Sequence, residues 1–404
     1  MLTYSMSIRH VKARVAPKVV REAVVVVTKQ HRILFLLFLV FYISKIQAAV
    51  LPEDRADVLY HSYDGGGISI SGPAVLVRKS MGDSVSVSAK HYVDTISSAS
   101  IDVQVILGAS TYEEERVENS FSMDVLNDKS LMSLSYTNSE ENDFSANTLS
   151  FGISQDMFGD LTTVSFGYAH GDNVIRKTGD INFLKNSRSD NFNLSLSQVL
   201  TKNMIMSLAL EVITDQGYLN NPYRKTRYLS GSTFILEDEI YPNTRTSTAL
   251  AVRGRYFLPY RAALHAEYRL FRDSWGVAGN NLEIGYLHPI TDDWMAGVHY
   301  RIYRQTKADF YSDLFPYSLS QNFLARDKEL STYNNNTIGF ALSYEFAKGE
   351  GGFFDKASVN LKYDHINFIY NDFRDATQTS YAPGTEPLYK FSTNIIQFFV
   401  SAWF

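Results

Sequence analysis

Beyond about residue 50, apolar and polar residues alternate with a period of two, the pattern of β-strands that bury one face. In 204–214, for example, Leu208 and Leu210 alternate with Ala209 and Glu211. The alternating runs last about 9 to 13 residues. That length suits tilted strands that cross a membrane, about 9–11 residues, better than the average soluble strand of about 5–6.

Short and long connections alternate between these predicted strands. The short ones carry Gly, Pro, Asn or Asp and lie at 81–83, 127–129, 158–160, 201–203, 259–260 and 291–293. The long ones are expected at 95–112, 172–188, 214–244, 306–333 and 370–388. Short turns at one end and long loops at the other are typical of outer-membrane barrels. The sequence therefore predicts an all-β fold, a transmembrane antiparallel β-barrel with short periplasmic turns and long extracellular loops.

The number of strands follows from counting backwards from the carboxyl terminus. Fifteen strands lead back to 67–79, and a further strand at 55–63 makes the count sixteen. An even number is required for both chain ends to lie at the periplasmic end. Because Pro73 interrupts its strand, a barrel of 14 strands stays open at this point.

The carboxyl terminus carries one continuous apolar face, formed by Ile396, Phe398, Val400, Ala402 and Phe404. This ending resembles the signal by which barrel-assembly machinery recognises outer-membrane proteins. We take Phe398, Val400 and Phe404 as the candidate assembly signal. An ordinary last strand is the alternative.

Residues 1–48 have the pattern of a secretory signal peptide. A basic stretch precedes the unbroken apolar run at 33–43, and small residues follow at Ala48 and Ala49. We expect cleavage after Ala48, with 49–404 as a single outer-membrane β-barrel domain. An uncleaved anchor is the alternative.

Composition narrows the function classes. The chain has no Cys, which excludes zinc–thiolate sites, thiol nucleophiles and disulfides. The first 48 positions carry eight basic residues and one acidic residue, so the remainder of the chain has an acidic excess, which argues against nucleic acid as a partner. The expected partners are outer-membrane lipid and, during biogenesis, the barrel-assembly machinery. A homo-oligomer stays open, and no cofactor is expected.

Charged residues on neighbouring strands share the face opposite the apolar one. These lumen candidates are Arg253, Arg255, His265, Glu267, Arg269, His299 and Arg301. They predict either a basic ladder that selects anions or a set of salt bridges that fills the barrel wall.

Two predicted loops carry clusters of opposite charge. One contains Asn221, Pro222, Tyr223, Arg224 and Arg227, and the other contains Asp309, Tyr311, Asp313, Phe315, Arg326, Asp327 and Glu329. Their attraction could pack the loops across the mouth as a constriction or a receptor surface, or could only stabilise the surface. Asp309 and Asp313 also leave room for a hard-cation site, although no metal ligand set is evident.

Several stretches resemble a known family. They are LPEDRADVLYHSYDGGG from Leu51, LNNPYRKTRYL from Leu219, the two segments ADFYSDLFPY and QNFLARDKELS, and the ending at Phe404. Together they are similar to an uncharacterised bacterial family, a domain of unknown function regarded as outer-membrane barrels. The resemblance implies a barrel in the outer membrane of a Gram-negative bacterium. It implies no catalytic residues.

The function indicated is a porin-like pore or transport channel for small solutes. The alternative is a structural or docking barrel that serves a periplasmic or surface complex without an open pore. The histidines are scattered and no catalytic motif appears, so the chain is not expected to be an enzyme, and an outer-membrane hydrolase is the least favoured reading.

Overall fold

A computed structural model describes residues 50–98, 112–346 and 354–404. These residues form one closed antiparallel barrel of sixteen strands and a separate two-stranded sheet. The expected signal peptide at 1–48 lies outside the described residues and stays a prediction. Among the residues that the structure describes, no helix has the length and apolar character needed to cross a membrane.

The sixteen barrel strands pair in the order in which they occur along the chain. They are β1 Arg55–Gly65, β2 Ile68–Met81, β3 Val85–Ser98, β4 Tyr112–Asn127, β5 Ser130–Glu140, β6 Phe144–Met157, β7 Thr162–Lys177, β8 Asp180–Thr201, β9 Met204–Gly217, β12 Thr244–Phe257, β13 Ala263–Asp273, β14 Ala278–Pro289, β15 Trp294–Gln305, β16 Tyr333–Phe346, β17 Lys356–Arg374 and β18 Leu388–Trp403. The chain leaves this ring once, between β9 and β12, to form a separate hairpin. Strands β10 (Lys225–Ser230) and β11 (Thr233–Asp238) form the separate sheet. A three-residue 3-10 helix occupies Lys328–Leu330.

The ring closes between the first and last strands. β1 pairs with β18 along its whole length, with Val58 opposite Val400 and Tyr63 opposite Ile395. Closure leaves no unpaired sheet edge, so every strand satisfies its backbone hydrogen bonds within the ring.

The period-two alternation places apolar side chains on the outside of the barrel. Leu210 on β9 lies opposite Leu194 on β8 and Leu250 on β12, and all three are exposed. The intervening positions, such as Ala209 and Ala251, face inward. An exterior of exposed leucines is unfavourable in water and favourable against lipid.

The short turns gather at one end of the barrel, as expected. Their backbones need the left-handed region, which Gly82, Asp128 and Gly159 adopt with φ of 69°, 53° and 64°. The carboxyl terminus lies at this end, where the Phe404 amide donates to the Asp54 carbonyl at 3.3 Å. The long loops lie at the other end.

The structure settles the number of strands, which the sequence left open between 14 and 16. The count is sixteen, because β2 runs through Pro73. Pro73 keeps its place opposite Tyr60 on β1, and the ladder to β3 has no pair at Gly72 and Pro73 before resuming at Ala74. The chain thus accommodates the missing donor locally.

The long loop expected at 172–188 is wrong. Strands β7 and β8 continue past it and meet at a tight turn formed by Thr178 and Gly179, the latter at φ 87°. The polar residues that suggested a loop are cross-strand partners, since Arg188 Nε donates to Asp172 Oδ1 at 3.2 Å. Above an apolar belt both faces of a strand meet water, so the alternation fades while the ladder continues.

The outward leucines generate a test of which face meets lipid. We expect Leu210→Arg to lower the free energy of unfolding in lipid vesicles by about 2–4 kcal/mol, because a charge near the bilayer midplane is costly. Ala209→Arg, one residue away on the inward face, is the matched control and should cost much less. Urea unfolding followed by tryptophan fluorescence measures both. Equal losses would contradict the assignment of the faces.

Candidate functional site

Three long loops pack together at one end of the barrel. They are the β9–β12 loop (218–243), which contains the β10–β11 hairpin, the β15–β16 loop (306–332) and the β17–β18 loop (375–387). Backbone hydrogen bonds join the first two, since the Leu229 amide donates to the Phe315 carbonyl at 2.8 Å and the Leu324 amide to the Ile240 carbonyl at 2.7 Å. The loops therefore form a folded unit.

Arg227 joins all three loops. Its guanidinium is fully buried, and it donates to Asp313 Oδ2 at 2.6 Å and to the Asp313 carbonyl at 2.9 Å. It also binds both carboxylate oxygens of Glu386, with Nη2 to Oε2 at 3.1 Å. Burial acts to raise the pKa of Glu386, but the hydrogen bonds and charge of Arg227, together with backbone hydrogen bonds, hold that pKa below its usual value.

Two further arginines extend this contact. Arg326 reaches Asp313 Oδ1 at 3.0 Å, and its guanidinium stacks 4.5 Å from the centre of the Phe373 ring. Arg224 pairs with Asp327 and lies 3.8 Å from Glu329. The structure thus brings the predicted basic cluster and the predicted acidic cluster together.

An apolar core lies beneath these ion pairs. Its members come from the β9–β12 loop, the β13–β14 turn and the β15–β16 loop, and they are Leu219, Tyr241, Trp275, Val277, Ala308, Phe310, Tyr311, Ala325 and Leu330. Phe271, an inward residue of β13, packs against the core. Gln305, inward on β15, donates to the carbonyls of Glu329 and Ser331 at 2.7 and 2.9 Å. The loop unit is therefore anchored to the inner wall.

The ring order shows that the β9–β12 loop crosses the barrel mouth. Six strands separate its root from Glu386 in one direction, and four separate it from Asp143 in the other. Arg227 nevertheless contacts Glu386, and the Tyr223 hydroxyl donates to Asp143. A single loop whose contacts reach across ten of sixteen strands must span the opening.

Some predicted loop residues have other partners. Tyr223 does not join the acidic cluster, since its hydroxyl binds Asp143 and accepts from the Thr178 amide at 2.6 Å. The Asp309 amide donates to the Trp275 carbonyl at 2.8 Å, and Tyr311 donates to the Asp372 carbonyl at 3.1 Å.

The suggested pairing of Asp309 with Asp313 around a cation has no support in this geometry. Both carboxylate oxygens of Asp313 accept from guanidinium groups, Oδ2 from Arg227 and Oδ1 from Arg326. Asp309 is exposed and lies against Gly276, where any Cβ would overlap its carboxylate.

The lumen candidates face inward, as predicted, and most of them are ion-paired. Arg253 pairs with Glu267 on the neighbouring strand, and Arg269 Nη2 lies 2.7 Å from Glu211. Among the described residues Arg255 and Arg301 have no ion pair, and Arg301 donates to Thr337 at 3.2 Å.

The two inward histidines lie over glycines. His265 Nε2 is 3.6 Å from Glu283, and His299 Nε2 is 3.2 Å from Asp364. Each imidazole occupies the space that a Cβ would take at Gly285 and Gly339 respectively. We call the seven predicted lumen residues and their acidic partners the lumen belt. Its members are Arg253, Arg255, His265, Glu267, Arg269, His299, Arg301, Glu211, Glu283 and Asp364.

Glu267 was predicted from the sequence, but the other acidic members of the belt, Glu211, Glu283 and Asp364, were not singled out. Glu211 was visible as part of the polar face of its strand, but its partner depends on the register between β9 and β12. Glu283 stands between Glu267 and Arg301 in the register of β13, β14 and β15. Glu386 gave no signal, because its loop has no alternation to read.

Two histidines that appeared isolated have acidic partners. His61 Nε2 lies 2.6 Å from Asp94 in the barrel wall. His170, on the outward face near the long-loop end, has Nδ1 2.8 Å from Asp190 Oδ1, which also accepts from Tyr168 at 2.6 Å.

The candidate assembly signal lies on the outer face of the last strand. Phe398 is exposed there, and Val400 follows two residues later on the same face. The ring of Phe404 lies 4.8 Å from Lys79 Nζ. That the assembly machinery recognises this carboxyl-terminal signal stays a prediction.

The fold defines a class: a closed sixteen-stranded antiparallel barrel with an apolar exterior, which is the architecture of outer-membrane β-barrels. The chain belongs to the family described as "Protein of unknown function (DUF3570)", whose profile matches residues 108–192 and 182–363. No curated protein matches the chain significantly.

Three similar solved structures share little sequence with this chain. In-vitro folded OmpT, an outer membrane protein of Vibrio cholerae, has 9% identity and a TM-score of 0.41 over 88% of this chain and 100% of its own. The outer membrane protein opdK from Pseudomonas aeruginosa has 10% identity and a TM-score of 0.42 over 87% and 99%. An anion-selective porin from Comamonas acidovorans has 8% identity and a TM-score of 0.39 over 87% and 99%.

The buried Arg227 generates a test of the crossing loop. We expect Arg227→Met to leave Asp313 and Glu386 buried without their cation, at a local cost of about 3–5 kcal/mol. The loop should then open while the barrel stays folded. Limited trypsin digestion should cut at Lys225 much faster than in the wild type, with heat-modifiable migration unchanged.

A matched control removes an arginine that forms an exposed pair. Arg261 lies in a turn at the opposite end and binds Asp292 at 2.7 Å, a contact worth about 0–1 kcal/mol. Arg261→Met should leave the digestion pattern of the loops unchanged. Equal digestion of the wild type and the Arg227 variant would show that the ion pairs of Arg227 do not hold the loop in place.

Proposed function

We propose that this chain is an outer-membrane channel for small solutes whose extracellular mouth is narrowed by its own folded loops. The observation that carries the proposal is the β9–β12 loop, held across the mouth by Arg227 above a belt of charged inward side chains. A barrel of sixteen strands is wide enough for an aqueous lumen. Polar groups lining that lumen are what a solute path requires.

The placement in the outer membrane rests on the surface of the barrel. Exposed apolar residues cover the outside, and the long loops all lie at one end, while the described connections at the other end are short. In such barrels the short turns face the periplasm and the long loops face outward. The three packed loops joined by Arg227 would therefore lie on the extracellular side.

The lumen belt favours weak ion selectivity. Of the two readings of the predicted ladder, ion pairing describes the observed contacts better, because the belt holds four arginines and four carboxylates. Adjacent opposite charges cancel at a distance larger than their separation. We therefore propose a channel that orients dipolar or zwitterionic solutes rather than one that selects anions.

A docking barrel without a pore is the second candidate. The same crossing loop favours it, since a unit with its own apolar core presents a stable surface at the mouth. A hydrolase is less well supported. His170 contacts Asp190 at the rim, but no serine or threonine hydroxyl among the described residues hydrogen-bonds to it.

Conductance separates the first two candidates. In a planar lipid bilayer we expect the purified mature chain to give small discrete steps, because the loop leaves a narrow path. Arg227→Met should give larger steps or a larger open fraction, since the loop is released. Arg261→Met again serves as the control.

Silence from both the wild type and the Arg227 variant would overturn the channel proposal, provided that heat-modifiable migration shows folded barrels. That outcome would support the docking candidate. Steps of equal size in both proteins would place the narrowest point elsewhere than the crossing loop.

The balance of the lumen belt gives a second measurement. Glu267→Gln removes the partner of Arg253 and leaves the belt with excess positive charge. In a salt gradient we expect the reversal potential to lie near zero for the wild type and to shift towards anions in the variant. Asp160→Asn, in a turn at the periplasmic end, is the control. An unchanged potential would show that the belt does not line the path.

A further inference from the structure

Three carboxylates meet at the long-loop end, beside the point where the crossing loop is anchored. They are Glu114 near the start of β4 and Glu141 and Asp143 in the β5–β6 connection. One carboxylate oxygen from each lies within 4.8 Å of the other two. Like charges at this separation repel one another strongly unless something compensates them.

Two of the carboxylates are buried, Glu141 is half-buried, and all three are incompletely bonded. Glu114 is 3% exposed and Asp143 is 1% exposed. One oxygen of each of the three side chains, Glu114 Oε1, Glu141 Oε2 and Asp143 Oδ1, is shielded from solvent and has no hydrogen-bond partner in the part of the chain that the structure describes. A buried acceptor without a partner is costly, and such groups commonly mark an ion site.

In the part of the chain that the structure describes, no cationic side chain forms an ion pair with the cluster. The nearby guanidinium of Arg116, also on β4, pairs with Asp94 instead. Three carboxylates that lie this close together without such a partner favour a cation from solution.

We propose that Glu114, Glu141 and Asp143 form a binding site for a hard divalent cation, with Ca²⁺ as the occupant. The donors are carboxylate oxygens alone, which suit Ca²⁺ and not a metal that prefers nitrogen or sulfur ligands. Three carboxylates supply three to six oxygens, and water or backbone carbonyls complete the six to eight that Ca²⁺ takes.

The site is linked to the crossing loop through Tyr223. The second oxygen of Asp143 accepts from the Tyr223 hydroxyl, which also holds the Thr178 amide. A bound cation fixes the position of the Asp143 carboxylate, and with it the oxygen that accepts from Tyr223. Cation binding therefore stabilises one end of the loop, and Arg227 holds the other end.

The test is titration of the full mature chain, refolded in detergent, with Tb³⁺ as a luminescent substitute for Ca²⁺. Excitation of tyrosine should give saturable emission from one equivalent, because the Tyr223 phenol adjoins a ligand. Ca²⁺ should displace it, with affinity in the range of about 10⁻⁴–10⁻³ M typical of extracellular sites.

Variants assign the site. Glu114→Gln and Asp143→Asn should each weaken binding at least about tenfold. Glu115→Gln is the matched control, because Glu115 follows Glu114 directly but is exposed on the opposite face, and it should bind like the wild type. Tyr223→Phe should dim the Tb³⁺ emission while Ca²⁺ affinity, measured by calorimetry, stays within a few fold of the wild type.

Absence of saturable binding to the folded wild type would overturn the proposal, and so would equal affinity in the wild type, Glu114→Gln and Asp143→Asn. Heat-modifiable migration verifies folding. If the ligand variants do not fold, calorimetry on the wild type together with the Tyr223→Phe emission decides the matter. The result is independent of conductance, so a closed barrel can still bind the cation.

Discussion

A guanidinium group that is removed from water must be surrounded by acceptors, and this constraint organises the whole mouth of the barrel. Arg227 is fully buried and spends its donors on Asp313 and Glu386, which belong to two other loops. Without it, Glu386 would lose both of its hydrogen bonds to a guanidinium and Asp313 would keep only Arg326 as a charged partner. The three loops therefore hold one arrangement together, because moving one of them leaves a buried charge in the others.

The closed ring gives this arrangement its significance. In an open sheet, a contact between distant connections would be a matter of local packing. In a ring of sixteen strands, a contact six strands away is a chord across the opening. The apolar core around Trp275 and Phe310 packs against Phe271 on the inner wall, and this contact fixes where the crossing loop sits along the barrel axis. Topology and one buried ion pair together convert a long loop into an obstruction.

The sequence was sufficient for the parts of the fold that alternation governs. The strand number to within two, the direction of each face and the end at which the predicted turns lie follow from the period-two pattern and from turn residues such as Gly82 and Asp128. The prediction from sequence failed where a strand does not alternate between apolar and polar residues. The region 172–188 is polar on both faces because both meet water, so a strand there reads as a loop.

The candidate site was predictable only by sign of charge. Clusters around Arg224 and Asp327 are evident in the sequence, and their attraction was foreseeable. The identity of each pair was not, since Glu386 lies 159 residues from Arg227 along the chain. The carboxylates at Glu114 and Asp143 were invisible for the same reason, because nothing local signals that β4 and the β5–β6 connection bring them together.

Charge compensation separates the acidic groups of this protein into two kinds. Asp313, Glu386, Glu211 and Glu267 each pair with an arginine from another element, so their charges are compensated within the structure. Glu114, Glu141 and Asp143 share a buried space, and each has an oxygen without a partner among the described residues. The carboxylates of the lumen belt have arginine or histidine partners, whereas the three beside the anchor of the crossing loop have no ion pair among the described residues. The site that we propose there takes its compensating charge from a cation in solution.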